Sequence, residues 1–339
     1  MLEKRWVFLS EKQNNMDLQA LSTSLRIPKI LASVLLSRGL DAAGAENFFS
    51  RSKKDIPNPF LLLGMEKAVL RIQSALESQE KIVVYGDYDV DGITSTAMLC
   101  DFLRSLGANV EYYIPSRADE GYGINIIALS KIKKGGAKLL ITVDCGITAV
   151  GEVEFARSIG LDVVITDHHM CKEKIPRAVA VINPKQPECS YPYKELAGVG
   201  VCFKLVLATA MHLGRKAGEY FDRYVDLCAV GTIADVVPLT GENRVIVHAG
   251  LKALAETKRP GLAALSSVAG IAQKNPSVTN VSFALAPRIN AAGRVGKVEM
   301  GVSLLLETDP KKAYETARYL DEENNERRRI CLLYTSRCV

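Results

Sequence analysis

The chain has 339 residues, 48% of them hydrophobic, and a formal net charge of +5, so it can build a real core and only faintly suggests an anionic partner. Its eight cysteines lack metal-finger spacing, residues 1–10 lack a signal-peptide core, and no stretch reaches a spanning length free of charge. Zinc fingers and membrane spans are therefore set aside, and a cytoplasmic protein with reduced, buried thiols is expected.

In chain order, residues 18–25 and 30–36 read as short helices, broken at Pro28 and Gly39. A loop at 55–59 leads to a helix over 61–77 with Leu62, Met65, Ala68, Val69, Ile72 and Leu76 on one face. Four short apolar runs then alternate with helical patterns. Strands are expected at 81–85, 110–114, 138–143 and 161–166, with a further one at 179–182. Helices are expected at 92–106, 124–134 and 149–159. A polar, glycine-rich loop at 115–123 carries Arg117, and a proline-rich surface loop covers 184–193. From 197 onward the pattern is mostly helical and closes on a charged helix at 310–330. The fold class is α/β: a parallel sheet with a helical N-terminal segment and a large helical insertion or extension. The expected division is 1–60 helical segment, 61–240 catalytic α/β domain, 241–330 helical extension, and 331–339 a non-native or truncated tail.

In a parallel sheet the carboxyl ends of the strands form the ligand crevice. The first run ends in Gly86-Asp87-Tyr88-Asp89-Val90-Asp91-Gly92, the third in Asp144, and the fourth in Asp167-His168-His169. These groups are expected to converge, and like charges cannot share a poorly solvated site without cations. A calcium hand is disfavoured, because its twelve-residue loop ending in glutamate is absent. Asp235, acidic within an apolar segment, joins the set. The reading is a two-cation site with Asp87, Asp89, Asp91, Asp144, His168 and Asp235 as ligands and Asp144 as the bridge. Mixed oxygen and nitrogen ligands suit Mn²⁺, with Mg²⁺ or Zn²⁺ compatible. His169 is a ligand, a proton-transfer group or an orienting residue, and Asp167 fixes an imidazole tautomer. Arg117, Arg288 and Arg294 are candidate phosphate clamps.

D-H-H at 167–169, Y-G-D-Y-D-V-D-G at 85–92, V-D-C-G at 143–146 and G-T-I-A-D at 231–235 together resemble the DHH phosphoesterase superfamily. P-S-R-x-x-E-G-Y-G at 115–123, V-I-N-P-K at 181–185, L-A-G-V-G-V at 196–201 and P-R-I-N-A-A-G-R at 287–294 narrow the resemblance to the bacterial family of single-strand-specific DNA exonucleases. It runs from about residue 60 to 330. It implies metal ligation by Asp89, Asp91, Asp144, His168 and Asp235, with Asp87 in the same motif. It implies catalytic roles for Asp167, His168, His169, Arg288 and Arg294, and substrate contacts from Arg117, Asn183, Arg288, Asn290 and Arg294. Many relatives outside this family place a histidine where this chain has Tyr85. The resemblance further implies a monomer that attacks single-stranded DNA from the 5′ end, releasing 5′-mononucleotides in repair and recombination. A single-strand-binding protein and a helicase are its expected partners, and further C-terminal domains complete such relatives. A phosphoesterase of short oligonucleotides or cyclic dinucleotides is the alternative, and a nucleic-acid-binding protein without turnover is a third.

Overall fold

The structure is a computed structural model that describes residues 14–116, 120–121, 123–271, 275–294 and 298–336, without the side chains at 292, 294 and 331–336. The chain divides into two compact units, Met1–Asp55 and Ile56–Val339. In the first, α1 (Asn15–Ser24), α2 (Lys29–Ser37) and α3 (Ala42–Phe49) surround a small core of Leu21, Ala32, Leu35 and Ala45. The third helix is not foreseen from the sequence. Asp41 starts it by accepting a hydrogen bond from Gly44 N.

The second unit is built on five parallel strands in the order β2-β1-β3-β4-β5. They are β1 (Ile82–Gly86), β2 (Val110–Tyr113), β3 (Leu139–Val143), β4 (Asp162–Thr166) and β5 (Ala180–Ile182). Their near-continuous apolar sequences have a cause in the packing, because helices cover both faces. Ile82, Val84, Leu139, Ile141, Val143 and Val164 face one core with α4 (Met65–Glu77), α5 (Val90–Ser105) and α8 (Gly198–His212). Val83, Tyr85, Leu140, Val163 and Ile165 face another with α6 (Ile126–Lys134) and α7 (Val150–Ser158). Gly86 pairs with Val143, and Val143 with Thr166. The register therefore brings Asp87, Asp144 and Asp167, each one residue further on, to one edge.

The helices from 217 onward belong to the same unit. They are α9 (Ala217–Ala234), α10 (Gly241–Ala255), α11 (Pro260–Val268), α12 (Val278–Asn280), α13 (Ala286–Arg294), α14 (Glu299–Leu306) and α15 (Pro310–Ser336). A π-helical turn, Val281–Leu285, joins α12 to α13. The charged sequence of α15 suggests a helix with little to bury. Its first turns nonetheless bury Ala313, Ala317, Leu320 and Asn324, a stripe at helical spacing packed on α11 and α13.

Candidate metal centre

The acidic loop after β1 is tight because it turns straight into α5. A Cβ at Gly92 would strike the Asp87 backbone, so only glycine fits that turn. Asp89 caps α5 by accepting from Gly92 N at 3.0 Å. Asp91, two residues on, is buried and reaches across to α8. Its two oxygens accept from Gly198 N at 2.7 Å and Val199 N at 2.6 Å. The first amides of a helix lack partners within the helix and carry partial positive charge, so a carboxylate satisfies both needs. Gly198 has a second reason to be glycine: a Cβ there would run into the Asp144 carboxylate.

Asp144 follows the central strand with φ +60, a left-handed conformation that aspartate tolerates better than most residues. Asp167 is a hub. Its Oδ1 accepts from the amides of His168 and His169 at 2.7 and 3.0 Å and lies 2.7 Å from His169 Nδ1. Its Oδ2 accepts from Ile147 N at 2.9 Å. The imidazole that Asp167 orients is thus that of His169. His168 turns the other way: its Nε2 lies 3.2 Å from Asp144 Oδ1, 3.6 Å from Asp235 Oδ2 and 3.9 Å from Asp91 Oδ2.

These groups form three sets whose ligand atoms lie within 4.8 Å of one another: Asp87, Asp89 and Asp144; Asp144, His168 and His169; and Asp91, His168 and Asp235. The fit to cations shows in atoms without partners. Asp87 Oδ1 is buried without a hydrogen bond, and Asp144 Oδ1, Asp235 Oδ2 and His168 Nε2, though close to one another, are buried without hydrogen-bonding geometry to any group. Buried polar atoms normally find partners. Several such acceptors aimed into one volume are what a divalent cation requires.

The electrostatics agree. Burial, then the charge of Asp89, pushes the Asp87 carboxyl up to about 7. Burial, again with Asp89, pushes Asp235 up to about 6. Asp91 and Asp144 are raised well above the carboxylate range, first by burial and then by neighbouring aspartates. Burial and the nearby His169 lower His168 to about 4, which keeps it neutral and able to ligate. The hydrogen bond to Asp167 raises His169 and outweighs its burial. For Asp167 burial works upward, but the bonds from His169 and Ile147 prevail and hold it below its usual value.

The residues at the strand ends therefore come together as read from the sequence, and Asp235 joins them from the end of α9. The other candidates differ. Asn183 supports the site from behind: it is buried and donates from Nδ2 to His169 O at 2.9 Å. Arg288 is committed to Asp321 on α15, with Nε and Nη2 at 2.8 and 2.7 Å from one carboxylate oxygen, so here it joins two helices. Asn290 is half-buried on α13. Arg117 lies outside the described residues, as does the side chain of Arg294 at the end of α13. Tyr85 stays on the other face of the sheet, donating to Gly123 O at 2.8 Å. The roles of Gly198 and Val199 are not visible in the sequence, because their partner Asp91 is over a hundred residues away.

Residues 81–232 match the DHH family, N-terminal domain. The chain is 43% identical over 336 residues to the single-stranded-DNA-specific exonuclease RecJ of Bacillus subtilis, covering 99% of this chain and 42% of that protein. It is similar to a crystal structure of exonuclease RecJ bound to manganese, with TM-score 0.73 and 37% identity over 81% of this chain and 68% of that one. It is also similar to RecJ of Thermus thermophilus in complex with Mn²⁺, with TM-score 0.79 and 31% identity over 93% of this chain and 45% of that one. The chain spans about half the length of the relatives it matches. Its motifs, its parallel sheet and the cluster at the strand ends agree with these likenesses, and the chain belongs to the DHH family, with broad similarity to the bacterial RecJ exonucleases.

Proposed function

We propose that this chain is the catalytic part of a metal-dependent exonuclease that degrades single-stranded DNA from the 5′ end to 5′-mononucleotides. The observation that carries the reading is the cluster of partnerless buried acceptors at the strand ends, with Asp144 shared between two ligand sets. The names of its relatives supply the substrate class and favour Mn²⁺, with Mg²⁺ as the alternative. Asp87, Asp89 and Asp144 would hold one cation, and Asp91, His168 and Asp235 the other, with Asp144 Oδ1 3.2 Å from His168 Nε2 and so adjoining both. Such cations, when bound, would lower the pKa of a water and neutralise charge developing at phosphorus.

The chain's own residues set the rest. Asp91 stays in place through the α8 amides, and its position fixes the start of α5. His168 offers a neutral nitrogen. His169 is oriented by Asp167, which also favours its charged form, and this supports a role as proton donor to the leaving oxygen. Asn183 fixes the backbone of His169. Arg117 and Arg294 are proposed phosphate contacts. Arg288 takes that role only if its pair with Asp321 opens.

We assign the activity to DNA repair and recombination in the cytoplasm, with a single-strand-binding protein and a helicase as partners of a monomer. Among the described residues no single helix is long and apolar enough to cross a membrane. The test is hydrolysis with Mn²⁺ of 5′-labelled and 3′-labelled single strands beside a duplex. Early release of the 5′ label from single strands alone is expected. Cleavage confined to di- or trinucleotides would point instead to a small-substrate phosphoesterase.

A further inference from the structure

Val236 follows Asp235 at the end of α9 and has φ +63. Left-handed backbone just past a helix is normally given to glycine, sometimes to asparagine. For a β-branched residue it is a genuine outlier, because the branched Cβ crowds the backbone. Packing within the chain does not offset the strain. Val236 is 84% exposed, the highest value for a large hydrophobic side chain among the described residues.

Its position is not neutral either. Asp235 Oδ2 lies 3.6 Å from His168 Nε2, and neighbouring Cα atoms are about 3.8 Å apart. Val236 is therefore one residue beyond a member of the metal centre, exposed beside it in the chain. Met170, 73% exposed, follows His169, so a second exposed apolar residue is one position along the chain from the same cluster.

We infer that Val236 is a nucleotide-contacting residue, presenting a stiff apolar surface to the face of a nucleobase beside a phosphate at the metal centre. The inference rests on the function proposed above and adds a specificity element to it. Each base has an apolar face, so such a contact tolerates any sequence. A β-branched side chain has little rotamer freedom to lose when it is covered. Glycine would relieve the strain but offer no surface. Asparagine would accept the backbone but keep its water. A strained valine is explained if its apolar area becomes buried only when substrate arrives. An abasic nucleotide would leave that area wet.

The test compares the 339-residue parent chain with Val236→Gly and Val236→Asn. The probes are 5′-phosphorylated trinucleotides with phosphorothioate linkages, either intact or abasic at the first or the second position. Binding is read by fluorescence anisotropy with Mn²⁺. The parent should bind the intact probe roughly tenfold tighter than at least one abasic probe, the scale of one apolar group entering a fitted contact. Both variants should bind all three probes alike. They should also melt no lower than the parent, since glycine and asparagine both tolerate the left-handed region. Variants that keep the parent's discrimination, or a parent that shows none, would overturn the inference. If discrimination is unchanged while the parent still hydrolyses single strands, only this inference falls. If the parent neither binds nor hydrolyses them, the proposed function falls with it.

Discussion

Asp87 has its carboxyl near 7 in the metal-free protein, and Asp91 and Asp144 are raised as well. A carboxyl raised on folding contributes stability that is complete below its unfolded value, about 3.9, and is lost as pH rises through the folded value. His169, also raised, acts in the same direction, while His168, lowered to about 4, contributes nothing further above its unfolded value of about 6.5. The melting temperature of the metal-free protein should therefore fall between about pH 6.5 and 8. Saturating Mn²⁺ should reverse the trend, because cations favour the ionised ligands. Calorimetric scans at several pH values check this, and a metal-free protein that gains stability over that window would show the cluster is solvated. Replacing His169 with Gln should lower kcat on single strands by about 10²–10⁴-fold and flatten the pH–rate profile, as expected for loss of a proton donor. An unchanged profile would return His169 to an orienting role. At this scale the sequence was informative. Carboxylates and imidazoles that close buried strands have few uses besides ligation. What it hid were partners distant in the chain, such as the amides that hold Asp91 and the aspartate that engages Arg288.

The N-terminus of α8 shows how an element can carry a site without supplying a ligand. Substituting Gly198 with Ala inserts a methyl group against Asp144, and such overpacking costs about 1–3 kcal/mol. Stability should drop by that amount in denaturant titrations, and Mn²⁺ affinity should drop with it. A loss of stability with metal affinity intact would mean that Asp144 moves aside freely. On α15, Leu320→Ala should cost about 2–5 kcal/mol, because the side chain is fully buried against neighbouring helices. A cost under about 0.5 kcal/mol would show that the helix is peripheral, as its charged composition alone suggests. The apolar runs of the strands were legible, since parallel strands covered on both faces leave little room for polar residues. The stripe on α15 was harder to see. Two of its four positions are alanines, spaced among charges that dominate any average.

At the scale of the second unit, a buried ion pair ties the helices around the sheet to one another. Lys204 on α8 lies 2.5 Å from Glu242 on α10 and donates to Pro57 O at 2.8 Å, and Glu242 also accepts from Tyr191 at 2.6 Å. Removing one partner leaves a buried charge uncompensated, so Glu242→Leu should cost about 3–5 kcal/mol, whereas combining it with Lys204→Met should cost far less. Equal losses in the single and double variants would show that the pair carries no coupling. The pair was not legible, since a lysine within an apolar helix has no visible partner in sequence. The α/β architecture was, because alternating runs and helices leave a parallel sheet as the simplest solution.

The central claim is that this sheet edge holds two cations around Asp144. Titration calorimetry with Mn²⁺ tests it most directly, on the parent chain and on Asp144→Ala. Two cations per parent chain, with the variant losing at least one while keeping its fold by circular dichroism, is the expected result. Unchanged stoichiometry and affinity in the folded variant would contradict the account.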